Sequence, residues 1–435
     1  MGFEAKVVTF AVAASTTTGT LDVTSSGFGT PQGVMIVLSG SPNDSATLES
    51  DAILSVGITD GTNDYCTSIF AEDASGNTDT TRTMRNDGTL IAENDSAGLK
   101  STDGEMTGAL ITDGIQLSYV TGKGFNRAYR GYAILMKGAD NLVCDDISLS
   151  AASADFDTYG FKPDIVFFQT TTAATNGTST DINVSLGWAV RGAADSISQV
   201  CVGLSNDDNK STVVSTQIMS TTQVGGSKNV TSTGWNRSAA LDEWRTNGFG
   251  LTRTGAAFGI GLQTLAIKLP SGQEALCGQD TSPTSATNKS VTTNYSAGTD
   301  DSELAIIVAT KLSTSVDRLD DETNALSLGA VDSAGNEAVA SISDDDGNTT
   351  SQSGSAFLDS ATILTHVDGN ATDTVEEQAD MTNMLSPDLD INYSTADSNA
   401  MYFGWCSIQK AAAAGGATPK GPLGLPLHGP LGGPM

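Results

Sequence analysis

Histidine, basic residues and aromatic residues are all scarce in this 435-residue chain. With two histidines, the side chain that most often moves protons at neutral pH is nearly missing. His428 lies in the C-terminal tail. His366 sits in Ile363-Leu364-Thr365-His366-Val367-Asp368, with no Gly-x-Ser-x-Gly elbow to accompany it. Walker, HExxH and dinucleotide signatures are absent. The glycine-rich run Gly255–Gly261 reads as a strand or hairpin and lacks the following helix that phosphate binding requires. These absences lead us to expect a non-enzymatic protein with no catalytic residues and no bound cofactor.

Lysine and arginine number 21 against 51 aspartates and glutamates, a formal net charge of −30. Binding to nucleic acid or to an anionic membrane requires cationic side chains that release counterions, so neither is expected as a partner. No apolar run approaches the ~18 to 20 residues of a membrane helix. The opening Met-Gly-Phe-Glu-Ala-Lys has no charged-then-apolar leader, so we expect the protein to remain in the cytoplasm where it is made. Five dispersed cysteines show no CxxC spacing, which argues against a zinc site and a complete disulfide framework. Cys66 and Cys201 fall at matching places where a later copy has Ala338-Val339-Ala340, the signature of a buried core position.

What is abundant is Ser, Thr, Gly, Asn and Asp between short apolar stretches, with hydrophobic residues at 38% and aromatics at 6%. Turn formers alternating with strand formers predict an all-β chain. Only 355–365 and 373–385 carry any helical signal. One strand-like sentence occurs three times. Val34–Leu38, Leu54-Ser55-Val56-Gly57, Asp113–Tyr119 and Tyr132–Lys137 are matched by Ile165–Phe168, Val184-Ser185-Leu186-Gly187, Asn247–Thr252 and Leu265–Lys268. Leu304–Val308, Leu326-Ser327-Leu328-Gly329, Asp388–Tyr393 and Cys406–Lys410 match them again. This period exceeds a solenoid unit and suits a small domain with its own core. We expect three tandem β-sandwich (jelly-roll-like) domains at 1–138, 139–270 and 271–411, which together could imitate a trimer.

Each copy continues into an acidic hairpin turn, at Glu72–Asn77, Ser205–Asn209 and Asp344–Asn348. A long variable segment follows, at roughly 78–110, 210–243 and 349–386, before the copies realign on a final antiparallel-looking pair of strands. Such segments carry what is specific about a domain. Asp344, Asp346 and Asn348 are the candidate calcium ligands, being hard oxygen donors, although they lack EF-hand spacing and an ordinary solvated turn is the simpler reading. Trp188 and Trp405 lie in strands and read as core, whereas Trp235 and Trp244 lie in a variable segment and are the candidates for a ligand or subunit contact. Residues 412–435 form a Gly/Pro/Leu-rich extended arm that cannot make a helix or central strand. Its Pro419, Pro422, Leu423, Leu425, Pro426, Leu427, Pro430 and Leu431 are expected to be held by a neighbouring subunit.

The string Gly160-Phe161-Lys162-Pro163-Asp164-Ile165-Val166-Phe167-Phe168, followed by Ser185-Leu186-Gly187 and Asn247-Gly248-Phe249-Gly250-Leu251, resembles modules of structural proteins of tailed-phage virions. The first copy departs modestly, with Gly-Phe-Gly-Thr-Pro-Gln-Gly-Val, and the third keeps only the later elements. The resemblance implies a β-sandwich virion component whose partners are other virion proteins and copies of itself. An exterior head-decorating or appendage position follows from the acidic surface, which packaged DNA would repel. Two rival placements are a receptor- or glycan-binding tail adhesin that contacts a host-surface glycan, and a tail tube or tail-tip protein.

Overall fold

The structure, a computed structural model, describes residues 2–14, 18–73, 77–93, 104–171, 176–209, 215–228, 235–255, 260–293, 295, 301–312, 324–344, 353–359, 361–367, 374–384 and 388–411. Among these residues the chain is all-β apart from one 3-10 turn, Ala193–Asp195. The strands form three pairs of antiparallel sheets with one strand order.

In the first pair the large sheet runs from edge to edge as Glu4–Val12, Tyr129–Lys137, Gly33–Ser39, Ala52–Thr59, Asp64–Ala71 and Thr80–Arg85. Its small sheet runs Thr20–Thr24, Gly114–Tyr119, Glu105–Ile111 and Ile91–Ala92. The second pair repeats the order with Asn141–Leu149, Ile260–Lys268, Ile165–Thr171, Ile182–Arg191, Ile197–Asn206 and Ser215–Ser220 over Ser153–Phe156, Gly248–Gly255, Trp235–Arg245 and Gly225–Lys228. The third uses Ala275–Thr281, Tyr402–Gln409, Ser302–Thr310, Asn324–Asp332, Glu337–Asp344 and Ser353–Leu358 over Asn288–Thr292, Asp388–Thr395, Val375–Asn383 and Leu364–Val367.

The large sheets are buried on both faces, which explains why their strands read as unbroken apolar runs. Along Gly33–Ser39, Val34, Ile36 and Leu38 point to the core shared with the small sheet, while Met35 and Val37 point the other way. The second pair divides Val166 and Phe168 from Ile165 and Phe167 in the same manner, and the third divides Ala305 and Ile307 from Leu304 and Val308. Because strand side chains alternate, each run feeds two cores at once. Three cores lie within the sheet pairs; the fourth lies between them and draws on all three large sheets.

Several sequence expectations change here. Where helical turns were expected, at 355–365 and 373–385, the described residues instead enter the strands Ser353–Leu358, Leu364–Val367 and Val375–Asn383. In Val375–Asn383 the residues Glu377, Ala379 and Met381 are buried with period two, and pairing on both sides overrides the helix propensity of Glu, Gln and Ala. The variable segments are not long loops, since each supplies three strands within its described residues. The apparent closing pair of strands is divided, with Gly114–Tyr119 in a small sheet and Tyr129–Lys137 in a large one.

Candidate functional site

The features that set this molecule apart from three independent sandwiches lie on the seams between its sheet pairs. Two of these features are exchanged strands. Ser45–Ser50 leaves the first pair and joins the edge strand Ser353–Leu358 of the third large sheet, and Gly177–Thr180 leaves the second pair and joins Thr80–Arg85 of the first. Each arm ends at an aspartate in the left-handed region, Asp51 at φ 68° and Asp181 at φ 64°, a conformation that short polar side chains tolerate. These aspartates play the same part: the Asp73 amide donates to Asp51 Oδ1 and the Asp208 amide to Asp181 Oδ1, both at 2.8 Å. Arg127 ion-pairs with Asp51, and Arg82 donates to the Thr180 and Asp181 carbonyls. The edge strands Thr80–Arg85 and Ser353–Leu358, which would otherwise expose a row of unpaired backbone groups, are thus covered by a neighbour.

The opposite edges of the first and second large sheets are met by side chains. The amides of Phe3, Ala5 and Val7, on the free side of Glu4–Val12, donate to Gln273 Oε1 at 2.7 Å, Glu303 Oε1 at 3.0 Å and Asp332 Oδ2 at 3.0 Å. At the next seam the Cys144 amide donates to Asp60 Oδ2 at 2.9 Å. Asp60 and Asp332 occupy matching turns between the fourth and fifth strands of their large sheets, and each also caps its own turn. At the third seam Lys311 donates its amide to Gln217 Oε1 at 3.0 Å.

The acidic hairpin turns meet each other across these seams. Thr78 Oγ1 donates to the Asp207 carbonyl at 2.7 Å, the Thr80 amide to Asp208 Oδ1 at 3.0 Å, and the Ser353 amide to Asp73 Oδ1 at 3.3 Å. Asp344 is buried, accepting from Asn206 Nδ2 and, at 2.7 Å, from Ser353 Oγ. Its oxygens therefore serve the joint between second and third pairs. Asp346 and Asn348 lie outside the described residues, as do all the arm residues named above from Pro419 to Leu431. Among the described residues no group of three or more His, Cys, Asp or Glu could hold a metal ion.

Trp188 and Trp405 are buried in strands, as their sequence context predicts, and Trp188 Nε1 donates to the Trp405 carbonyl at 3.0 Å across a seam. Trp244 is 7% exposed and packs with Phe249 and Leu241 in the second sandwich core, so its ring offers no ligand face. Burial there follows from the β-bulge between Leu241 and Glu243, which shifts the alternation of Trp235–Arg245 by one residue and turns Trp244 inward, in a strand the variable-segment reading did not foresee. Trp235 is half-buried, its ring lying where a Cβ on Gly203 or Gly226 would stand. Cys66 and Cys201 are buried opposite Gly57 and Gly187, the place Val339 takes opposite Gly329. Burial pushes the Cys66 thiol up to about 12.

His366 is 1% exposed between the sheets of the third pair, with Nδ1 3.1 Å from Glu377 Oε2. Elsewhere in the third pair, burial pushes the Glu337 carboxyl up from 4.5 to about 7, against a lowering contribution from the Met381 amide that donates to it. A carboxyl with a raised native pKa favours the fold below its unfolded value and withdraws that stability as pH rises through the native one. Between pH 5 and 8 the protein should therefore lose about 2 kcal/mol more stability than the Glu337→Gln variant, after allowance for residual solvent screening. Urea titrations of both proteins at the two pH values check this, and parallel losses would remove Glu337 from the account.

On the central core a small cavity of about 30 Å³ is lined only by apolar and sulfur-bearing side chains, including Met35, Phe167, Trp188, Leu304 and Cys406. This joint core and the exchanged strands are what sequence reasoning missed. The unbroken apolar runs were the available signal, since strands facing water on one side alternate with polar residues. Comparison with protein-family models, curated proteins and solved structures finds no match. No helix among the described residues is long and apolar enough to cross a membrane.

Proposed function

We propose that this chain is a non-enzymatic structural component of a tailed-phage particle, an exterior head-decoration or appendage protein built as a single-chain trimer. Its three parts are the tandem β-sandwich domains at 1–138, 139–270 and 271–411, and residues 412–435 are the arm that engages a neighbouring copy. The observation that carries this reading is the exchange of Ser45–Ser50 and Gly177–Thr180 onto neighbouring sheets. A strand added to a sheet gains a ladder of backbone hydrogen bonds, and separating the parts means breaking that ladder along with the central core. Such construction suits a protein whose task is to hold its shape on a surface. The net charge of −30 supports an exterior place, away from packaged DNA. A glycan-binding adhesin is less well supported, because Trp244 is in the core and Trp235 is half-buried over two glycines.

The test is the protein's copy number in purified particles, read by mass spectrometry and electron microscopy. Hundreds of copies on the head surface are expected for decoration, and a handful at a spike or fibre for an appendage. Absence from the particle would overturn the proposal. Removing residues 412–435 should lower incorporation; unchanged incorporation would remove the arm from it.

A further inference from the structure

We propose that Cys277 and Cys406 are a redox pair that closes a cross-strand disulfide when a small-molecule disulfide oxidises them. The two residues stand directly opposite each other where Ala275–Thr281 pairs antiparallel with Tyr402–Gln409. Opposed residues in such a ladder alternate between hydrogen-bonded and non-hydrogen-bonded pairs. The Gln409 amide donates to the Glu274 carbonyl on one side, and the Ser282 amide donates to the Met401 carbonyl on the other, both at 2.8 Å. Each of these bonded pairs lies an odd number of residues from Cys277 and Cys406, so the cysteines fall in the non-hydrogen-bonded class. Pairs of that class have Cα atoms about 4.5 Å apart, within the ~4.4 to 6.8 Å that a disulfide spans. Both side chains sit on the face that packs into the central core.

The matching pairs in the other large sheets are Val7 with Ile134 and Cys144 with Leu265, so the dithiol belongs to the third alone. Access comes from the seam. Cys277 is half-buried beside Val190 of the second sheet pair, and the residues just before it line a cleft of about 300 Å³ with Asp164 and Arg191. The exchange balances without any bound group. The Cys277 thiolate attacks one sulfur of the oxidant, forming a mixed disulfide and expelling a small thiolate. The Cys406 thiolate then displaces the second small thiolate. The protein loses two electrons and two protons, and the oxidant is reduced to two thiols. Burial raises both thiols, Cys406 to about 12, so the reaction should be slow at neutral pH and quicken as pH rises.

The experiment exposes the full chain to oxidised glutathione at pH 7 and at pH 9, then alkylates free thiols after unfolding and maps the peptides. We expect the peptides bearing Cys277 and Cys406 to be joined, faster at pH 9, with Cys66, Cys144 and Cys201 still alkylated. The bond encloses nearly the whole third sheet pair, so the unfolding midpoint should rise by ~3 °C or more. Cys277→Val and Cys406→Ile copy the residues at the matching first-sheet positions, and each should abolish both the joined peptide and the rise. Alkylation of both cysteines after oxidation, glutathione retained on Cys277, or a bond to a different cysteine would each overturn the proposal.

Discussion

Replacing Gly329 with Ala is expected to cost about 3 kcal/mol of stability, at the upper end for overpacking, because the new methyl group meets rigid backbone. A Cβ on Gly329 would run into the Ile363 carbonyl oxygen, on the chain that enters the small sheet of the third pair. Gly57 stands in the same relation to the Leu90 carbonyl and Gly187 to the Val224 carbonyl. In all three places a strand of the large sheet passes directly beneath the start of the last small-sheet strand, and only a residue without a side chain leaves room. Gly57→Ala and Gly187→Ala should therefore behave like Gly329→Ala. Gly335→Ala is the control: that glycine has φ 80° but open space around it, so about 1 kcal/mol of backbone strain is expected. Urea midpoints measure all four. If Gly329→Ala cost no more than Gly335→Ala, the close approach would not be what keeps the glycine.

These glycines also show how much of the fold the sequence carries. Leu54-Ser55-Val56-Gly57 and its two counterparts mark equivalent strands, and the recurrent glycine reports a local crowding that any copy of the module must respect. The all-β class and the acidic turn that follows the strand Asp64–Ala71 were legible for the same reason, since alternation and turn residues act over a few positions, whereas the returning strand Thr80–Arg85 lay in a stretch read as variable. What a strand pairs with beyond its neighbours was not legible. Ser45–Ser50 is a short polar stretch that pattern alone assigns to a loop, yet it completes a sheet whose other strands lie hundreds of residues away. Asp344 likewise reads as a solvated turn residue until the fold brings Asn206 and Ser353 against it. Ile165, Phe167 and Trp188 announced burial without saying that they would be buried against other sheet pairs.

Trp188→Ala should be the most damaging single truncation in the protein, costing about 3 to 5 kcal/mol. Its indole fills the centre of the joint core, stacks on Phe167 at 6.4 Å between ring centroids, and bonds to the Trp405 carbonyl of the third sheet pair. Truncation enlarges an existing cavity that the surrounding sheets, each fixed by its own hydrogen-bond ladders, cannot close. Trp188→Phe keeps most of the packing and removes only the indole donor, the Trp405 carbonyl still facing Gly278 in its ladder, so about 1 kcal/mol is expected. The consequence reaches beyond one sheet pair, because the inward faces of the three large sheets are largely apolar and, among the described residues, cover one another in the central core. Residues 139–270 expressed alone would expose Ile165, Phe167, Leu186 and Trp188 to water and should fail to give a cooperative unfolding transition. The whole chain should unfold in one transition by calorimetry, with Trp188→Ala lowering it as a unit. A stable, cooperative 139–270 fragment, or separate calorimetric transitions in the intact chain, would mean that the central core joins three bodies that are already complete.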